Sequence, residues 1–454
     1  MRQDLPALDP PRLRGASFAA AAVLLLALVI RGGFLLATPG AFEADTDGYR
    51  RLAENLVRHG TFGSDGVPTA YRPPLYPLML AGCVALGDYD RAALGLLHVV
   101  LGVAMVFLVW RLGANAGLSS SAVLAALLVA LDPILLMQSA QVMTETLATF
   151  LTTAGLAALL WTARRPTAPR AALAGVMLGL GVLCRPTLLL WAILVAVVFA
   201  FYFRGMPGSQ ENSRRLTAAG RTAETFRLPL AFVLGVLFVL SSWTIRNQLQ
   251  FGRPIVTTTH GGYTMFLANN PEFYEWLGSG RWGSVWRAER FDAAWNERRL
   301  HDELESDRLA YREAWQTIRQ APGTFCYACL VRLGRFWSPL PHQVVADETA
   351  PHRLSRYLVA LWYAAEFSLA AIGIWSWRKR QERILSSSAV LFALLLLAAL
   401  LAAHAVYWTD MRMRGPIMPL VALAAAVGAM KCLAAASTRR ESRARLAGRR
   451  AAGR

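Results

Sequence analysis

The chain has 454 residues, 55% of them hydrophobic, with a mean hydropathy of +0.37 and a formal net charge of +18. That is too apolar for an ordinary soluble protein and too long for one globular core. The basic residues, nearly all arginine, recur in short segments between apolar runs. Such a distribution follows membrane topology, because cytoplasmic loops retain positive charge, and does not describe a nucleic-acid surface.

The first apolar run, 15–37, is too long for the core of a signal peptide and lacks a small-x-small cleavage site, so it is read as an uncleaved first helix after a cytoplasmic tail, 1–14. Further spans are predicted at 91–113, 117–137, 141–162, 170–184, 187–203, 228–245, 355–377, 384–406 and 415–435. With RRPTAPR, 204–227, RKRQER and the basic tail 436–454 placed inside, both termini are cytoplasmic. The fold class that follows is an all-α polytopic membrane protein of about ten transmembrane helices, with interfacial helices in its first outer loop and a small extracytoplasmic domain. Its parts are an N-terminal transmembrane module, 15–246, whose first outer loop is 38–90, an outer domain, 247–354, and C-terminal transmembrane helices, 355–435. Both polar, basic ends read as disordered segments drawn to anionic lipid.

The first outer loop opens with EADTDGYRRLAENLVRHG, which places Glu43, Asp45 and Asp47 on alternate positions just beyond a membrane exit. Its second apolar stretch, TAYRPPLYPLMLAGCVALG, is short and begins with a double proline, so an interfacial or re-entrant helix is predicted there. In the outer domain, Phe291, Trp295, Leu304, Tyr311, Trp315 and Ile318 recur near helical spacing and predict an amphipathic helix. Six tryptophans between 276 and 337 are read as interfacial anchors in preference to sugar-stacking rings. Five cysteines, Cys83, Cys184, Cys326, Cys329 and Cys432, are too scattered for a disulfide framework. The pair Cys326 and Cys329, with His342 beyond, is read as buried or interfacial thiols and not as a zinc site.

Ionisable residues gather at one membrane level: Asp45, Asp47, Arg72, Glu145, Arg185, Arg246 beside Asn247, then Asp410, Arg412 and Arg414. Taken singly, each has a plain explanation. Loop acids are solvated, Glu145 gains from the dipole at a helix start, and arginines before a span lie at the interface. Arg31, inside the first span, is read as snorkelling or ion-paired. Taken together, carboxylates and guanidiniums at one interface suit a base working beside a bound anion.

An ordered set of short motifs then runs along most of the chain: Asp45 followed by Tyr49, Leu52, Ala53, Asn55 and Leu56, Y-R-P-P-L-Y-P from Tyr71 to Pro77, Thr144–Glu145, and C-R-P from Cys184. Next come W-T-I-R-N from Trp243 to Asn247, G-G-Y-T-M-F-L-A-N-N-P from Gly261, R-F-W-S-P from Arg335, and R-x-R-x-P-x-x-P from Arg412 to Pro419. In order and spacing these resemble the GT-C superfamily of membrane glycosyltransferases, especially bacterial members related to protein mannosyltransferases and aminoarabinose transferases. The resemblance implies transfer of one sugar, hexosyl or pentosyl, from a polyprenyl-phosphate donor to a hydroxyl of a lipid, glycan or protein acceptor. It places the chain in a bacterial cytoplasmic membrane with an extracytoplasmic site, and gives it no nucleic-acid partner. Asp45 is the first choice for the general base and Asp47 the second, with Glu145 in the same catalytic set. Arg246, Arg412 and Arg414, with Arg72 and Arg185, are assigned to the donor phosphate. Tyr49, Tyr76, Asn247 and Asn269 are supporting residues. No cofactor is required by the pattern, and a divalent cation on Asp45 and Asp47 is left open. The alternatives weighed are a multi-span transporter, whose ionisable groups should lie near the bilayer midplane, and a scaffold or ligase of envelope-glycan assembly.

Overall fold

The protein is described from a computed structural model over residues 10–38, 40–86, 91–202, 218–279, 285–342, 348–379 and 387–452. The first half comprises α1 (Pro10–Ala37), α2 (Tyr49–His59), a two-residue antiparallel ribbon (β1, Gly63–Ser64; β2, Val67–Pro68), α3 (Leu75–Ala85) and α4 (Arg91–Asn115). It continues with α5 (Ser120–Leu131), α6 (Pro133–Gln138), α7 (Glu145–Arg164), α8 (Ala168–Cys184), a 3-10 turn at Pro186–Leu188, α9 (Leu189–Tyr202) and α10 (Ala218–Phe251). A hydrophilic stretch forms α11 (Gly261–Ala268), α12 (Pro271–Gly278), α13 (Glu289–Arg298), α14 (Glu303–Gln320) and α15 (Pro322–Trp337). The chain re-enters the apolar bundle with α16 (Ala350–Lys379), α17 (Ser387–Val406), a 3-10 segment at Met411–Ile417 and α18 (Met418–Ala452).

Among the described residues, seven helices are long and apolar enough to cross a membrane, and every one coincides with a predicted span. The all-α polytopic architecture is therefore borne out. The other three predicted spans are shorter apolar helices at Ser120–Leu131, Ala168–Cys184 and Pro186–Phe201. The span predicted at 117–137 is two helices, because Pro133 has no amide proton to continue α5. The Asp132 carboxylate there accepts the Leu135 amide at 2.9 Å and caps α6. Disorder predicted for the C-terminal tail is corrected: α18 runs on to Ala452, an Ala- and Arg-rich stretch of high helix propensity. The matching expectation at the N-terminus, for DPPRLR, is corrected over Pro10–Arg14, which belong to α1, while residues 1–9 lie outside the described residues.

Small residues set the closest approaches between helices, as in membrane bundles where van der Waals packing replaces the hydrophobic effect. Gly175 of α8 faces the Phe232 carbonyl of α10, and Gly235 returns the contact against the Ala172 carbonyl. Gly373 and Gly428 join α16 to α18 in the same reciprocal way. Gly235→Leu is accordingly expected to force α8 and α10 apart at a cost of about 1–3 kcal/mol or more. Thermal unfolding in detergent micelles checks this, and an unchanged midpoint contradicts it.

Arg31 does not snorkel. Its side chain is fully buried across Gly102 of α4 and donates to the Val129 carbonyl of α5 at 3.4 Å. The hydrophilic helices build their own core from Met265, Phe266, Phe273, Trp286, Phe291, Trp295 and Ile318. Two of the six tryptophans read as anchors, Trp286 and Trp295, are therefore core residues, Trp315 is exposed, and Trp282 lies outside the described residues. The predicted amphipathic helix is two helices, α13 and α14, with Phe291, Trp295 and Ile318 buried. All five cysteines are free; Cys326 is exposed and the Cys329 sulfur lies 3.4 Å from Arg332.

Candidate active site

The loop after α1 turns at Gly48, whose φ of 73° suits a residue without a Cβ, and enters α2. Tyr49, Leu52 and Ala53 recur at helical spacing and form the buried face of that helix. Asp45 accepts the Arg50 amide at 3.1 Å on one carboxylate oxygen and the Arg51 amide at 3.0 Å on the other. It therefore caps α2, with both oxygens facing backbone donors. Asp47 is free of that duty: its Oδ1 accepts from Arg72 Nη2 at 3.0 Å. Arg72 arrives on the Y-R-P-P segment, lies over the Tyr49 and Tyr71 rings at 5.7 and 5.3 Å, and sends Nη1 to within 3.1 Å of His260 Nε2.

Beside this pair the N-terminus of α7 meets the C-terminus of α8. Glu145 occupies the first turn of α7, where the helix dipole favours a carboxylate, and is almost wholly buried. Arg185 ends α8; the following Pro186 keeps it extended, at φ −144° and ψ 112°. The 3-10 segment at Met411–Ile417 packs on α7, where Thr152 Oγ1 donates to the Pro416 carbonyl at 3.3 Å. Asp410 caps that segment by accepting the Arg412 amide at 2.9 Å, and pairs with Arg412 Nε at 3.0 Å. Glu145 Oε1 thereby stands between Arg412 Nε at 3.5 Å and Arg185 Nη1 at 3.6 Å. These contacts are ion pairs too long for direct hydrogen bonds, and neither Glu145 oxygen has a hydrogen-bond donor. Arg185 Nη2 rests against Met413 Sδ at 2.7 Å.

The two halves form one site. The buried Tyr49 hydroxyl, whose pKa burial pushes up, feels the charges of Arg72, Asp47, Glu145 and Arg185, and Asp47 also acts on Arg412. Two carboxylates and three guanidiniums thus converge where α7 begins, α8 ends and the 3-10 segment leads into α18. Such a cluster can accept a proton at Asp47 while offering cationic donors to an anion.

Other residues assigned from sequence lie elsewhere. Arg414 is fully buried behind the site, donating to the Phe336 and Ser338 carbonyls at 3.2 and 2.6 Å, with its guanidinium 4.1 Å from the Tyr363 ring. Both of these bonds come from Nη1, while Nε and Nη2 are buried without a hydrogen-bond partner. Arg246 is half-buried and gives its protons to the Thr69 and Phe62 carbonyls, both at 2.9 Å, and to Asn247 Oδ1 at 2.8 Å. It clamps the first loop to α10 and stands in a groove of about 450 Å³ with Leu56, Phe62, Leu78, Leu183 and Trp243. Asn247 is buried and donates to the Ile255 carbonyl. Asn269 donates to the Met265 and Val406 carbonyls and accepts from Tyr274. Tyr76 pairs with His98 at 3.0 Å beneath Tyr49. Backbone amides face both oxygens of Asp45, and the Arg72 guanidinium faces Oδ1 of Asp47. Among the described residues no group of three or more His, Cys, Asp or Glu side chains could hold a metal ion.

His260 was missed from sequence, where a lone histidine in a Thr-rich loop has no informative spacing. Burial first, then Arg72, holds it well below the ordinary histidine value. Around it stand Tyr71, Tyr263 and Arg72, with Asp47 and Asp292 behind them. The unfolded chain takes up a proton near pH 6.5 where folded His260 does not, so its stability contribution is full above about pH 6.5 and is lost as pH falls below it. His342, lowered by burial and by Arg335, adds with the same sign. A series of unfolding midpoints from about pH 7.5 to about pH 5 is expected to fall, and to fall less in His260→Gln; a rising series contradicts the assignment.

Residues 71–210 match the family described as dolichyl-phosphate-mannose-protein mannosyltransferase. The match starts at Tyr71 of the Y-R-P-P motif and takes in Glu145 and Arg185, so it supports the resemblance over that part of the chain, while the motifs around Asp45 and beyond residue 210 lie outside it. No curated protein matches the chain. Among solved structures it is similar to the oligosaccharyltransferase AglB from Archaeoglobus fulgidus, in complex with an inhibitory peptide and a dolichol-phosphate, with TM-score 0.48 and 16% identity over 90% of this chain and 50% of that one. It is also similar to ArnT from Cupriavidus metallidurans bound to undecaprenyl phosphate, with TM-score 0.34 and 15% identity over 92% of this chain and 76% of that one. The chain spans about half the length of the archaeal enzyme.

Proposed function

We propose that this chain is a membrane glycosyltransferase that moves one sugar from a polyprenyl-phosphate donor to an acceptor hydroxyl on the extracytoplasmic face of a bacterial cytoplasmic membrane. The observation that carries this reading is the meeting of Asp47 and Glu145 with Arg72, Arg185 and Arg412 at the ends of apolar helices. A polyisoprenoid tail partitions into hydrocarbon, so its phosphate waits at headgroup depth, and the acids and guanidiniums that serve it belong at that depth.

A hydroxyl is a weak nucleophile. Asp47 takes its proton as the hydroxyl oxygen attacks the anomeric carbon, the bond from that carbon to the phosphate oxygen breaks, and the polyprenyl phosphate leaves as an anion needing no proton. The base role goes to Asp47 and not to Asp45, because Asp45 is engaged on two backbone amides. Charge growing on the departing phosphate is met by Arg185 and Arg412, which Glu145 holds ready at distances longer than a hydrogen bond.

The test is a panel of undecaprenyl-phosphate-linked hexoses and pentoses supplied to the purified chain in nanodiscs, with mass spectrometry of envelope glycolipids and glycoproteins from a deletion strain naming sugar and acceptor. Turnover of at least one donor is expected. A deletion strain with an unchanged glycan profile and a protein inert to the whole panel would overturn the reading.

A further inference from the structure

Arg72 is shared between two acceptors, one on each terminal nitrogen. Nη2 donates to Asp47 Oδ1 at 3.0 Å, while Nη1 lies 3.1 Å from His260 Nε2. A guanidinium has no lone pair to offer, so Arg72 donates in both contacts and Nε2 accepts. The imidazole is then neutral, with its proton on Nδ1. The ring is wedged between Tyr71, at 4.3 Å between centroids, and Tyr263, stacked at 5.2 Å and 23°. Tyr263 is itself held by Asp292 at 2.6 Å, and the His260 carbonyl accepts the Thr264 amide at 3.2 Å. The ring is thus held between α11 and α13 of the hydrophilic domain on one side and Tyr71 of the first outer loop on the other. His260 Nδ1 is buried without a hydrogen-bond partner, which places all of the ring's hydrogen bonding on the Arg72 side.

An arginine with both terminal nitrogens available to one carboxylate takes the bidentate fork, the stronger pairing. Here one arm is diverted. We propose that His260 is a positioning residue that holds Arg72 to one-armed pairing with Asp47, leaving the second carboxylate oxygen open to the acceptor hydroxyl. The inference rests on the reading of Asp47 as general base. It also makes the hydrophilic domain a part of the active site, since the side chain that sets the Arg72 geometry comes from there. The other groups facing this arrangement are Asp307, whose carboxylate accepts the Gly262 amide, and Arg299, whose charge reaches Tyr71.

Two variants separate this role from simple packing. His260→Phe keeps a ring between Tyr71 and Tyr263 but removes the acceptor; His260→Gln keeps an acceptor oxygen near the position of Nε2. With a donor that the wild type turns over, His260→Phe is expected to lower kcat by about tenfold or more while leaving the donor KM within about twofold, since the phosphate contacts are untouched. His260→Gln is expected to restore most of that loss. Equal losses in both variants, or a wild-type kcat in His260→Phe, would overturn the proposal. A second measurement needs no turnover: nitrogen-15 spectra of histidine-labelled protein, with His260→Gln for assignment, should show a neutral ring protonated on Nδ1. A ring protonated on Nε2, or cationic at neutral pH, also overturns it. A wild type inert to every donor instead sinks the transferase reading, and the tautomer then still decides whether His260 holds Arg72.

Discussion

Asp47→Asn is expected to insert and fold normally and to lose turnover by about 10²- to 10⁴-fold, the range a positioned general base contributes. The amide nearly matches the carboxylate in shape and can still accept from Arg72, so the loss would report proton transfer and not packing. Asp45→Asn is the contrasting variant. Because the Asp45 oxygens accept the Arg50 and Arg51 amides, its removal weakens the start of α2. Asparagine keeps one of the two acceptors, so a cost of about 0.5–1.5 kcal/mol for the one lost hydrogen bond is expected, with turnover retained. Initial rates and thermal midpoints on the two proteins check both halves. The opposite pattern, a dead but stable Asp45→Asn beside an active Asp47→Asn, would return the base role to Asp45.

Arg412 and Arg414 make the second large contrast, because two residues separated by one methionine on the same 3-10 segment point to different surroundings. Arg412 reaches Glu145 and Asp410 and stays partly accessible. Arg414 is fully buried and serves backbone carbonyls at the end of α15. Arg412→Ala is expected to reduce kcat by about 10²- to 10³-fold with little change in stability, as when one preorganised donor is removed from a developing anion. Arg414→Ala leaves the Phe336 and Ser338 carbonyls without that donor, at a cost of about 1–3 kcal/mol for each group stranded. Its rate per folded molecule is expected to persist. Comparable rate losses in both, with comparable midpoints, would show that the segment acts only as a structural unit.

R-x-R before a span reads as two arginines serving one anion, whereas Arg412 reaches Glu145 and Asp410 and Arg414 reaches carbonyls at the end of α15. In an extended strand those arginines would share a side; in a 3-10 turn of three residues they are separated by about two-thirds of a turn and part company. Nothing in the sequence announces which geometry holds. The same limit applies to Asp45 and Asp47: D-x-D spacing reads as a pair in either conformation, whereas the turn at Gly48 sends one carboxylate back onto the helix it precedes and leaves the other facing Arg72.

Long apolar runs, by contrast, are self-declaring, because the bilayer imposes a minimum length and internal hydrogen bonding on any single segment that crosses it. The sequence by itself therefore determined the class of the fold, the places of the long helices and the hydrophilic insertion between α10 and α16. Which acid is capped and which is paired, that Arg246 clamps a loop while Arg185 and Arg412 flank Glu145, and that His260 reaches Arg72 at all, were decided by tertiary contacts between residues as far apart as Glu145 and Arg412. A local pattern records the solvent each segment must satisfy. The direction of a side chain depends on neighbours brought in from distant parts of the chain, and only packing supplies those.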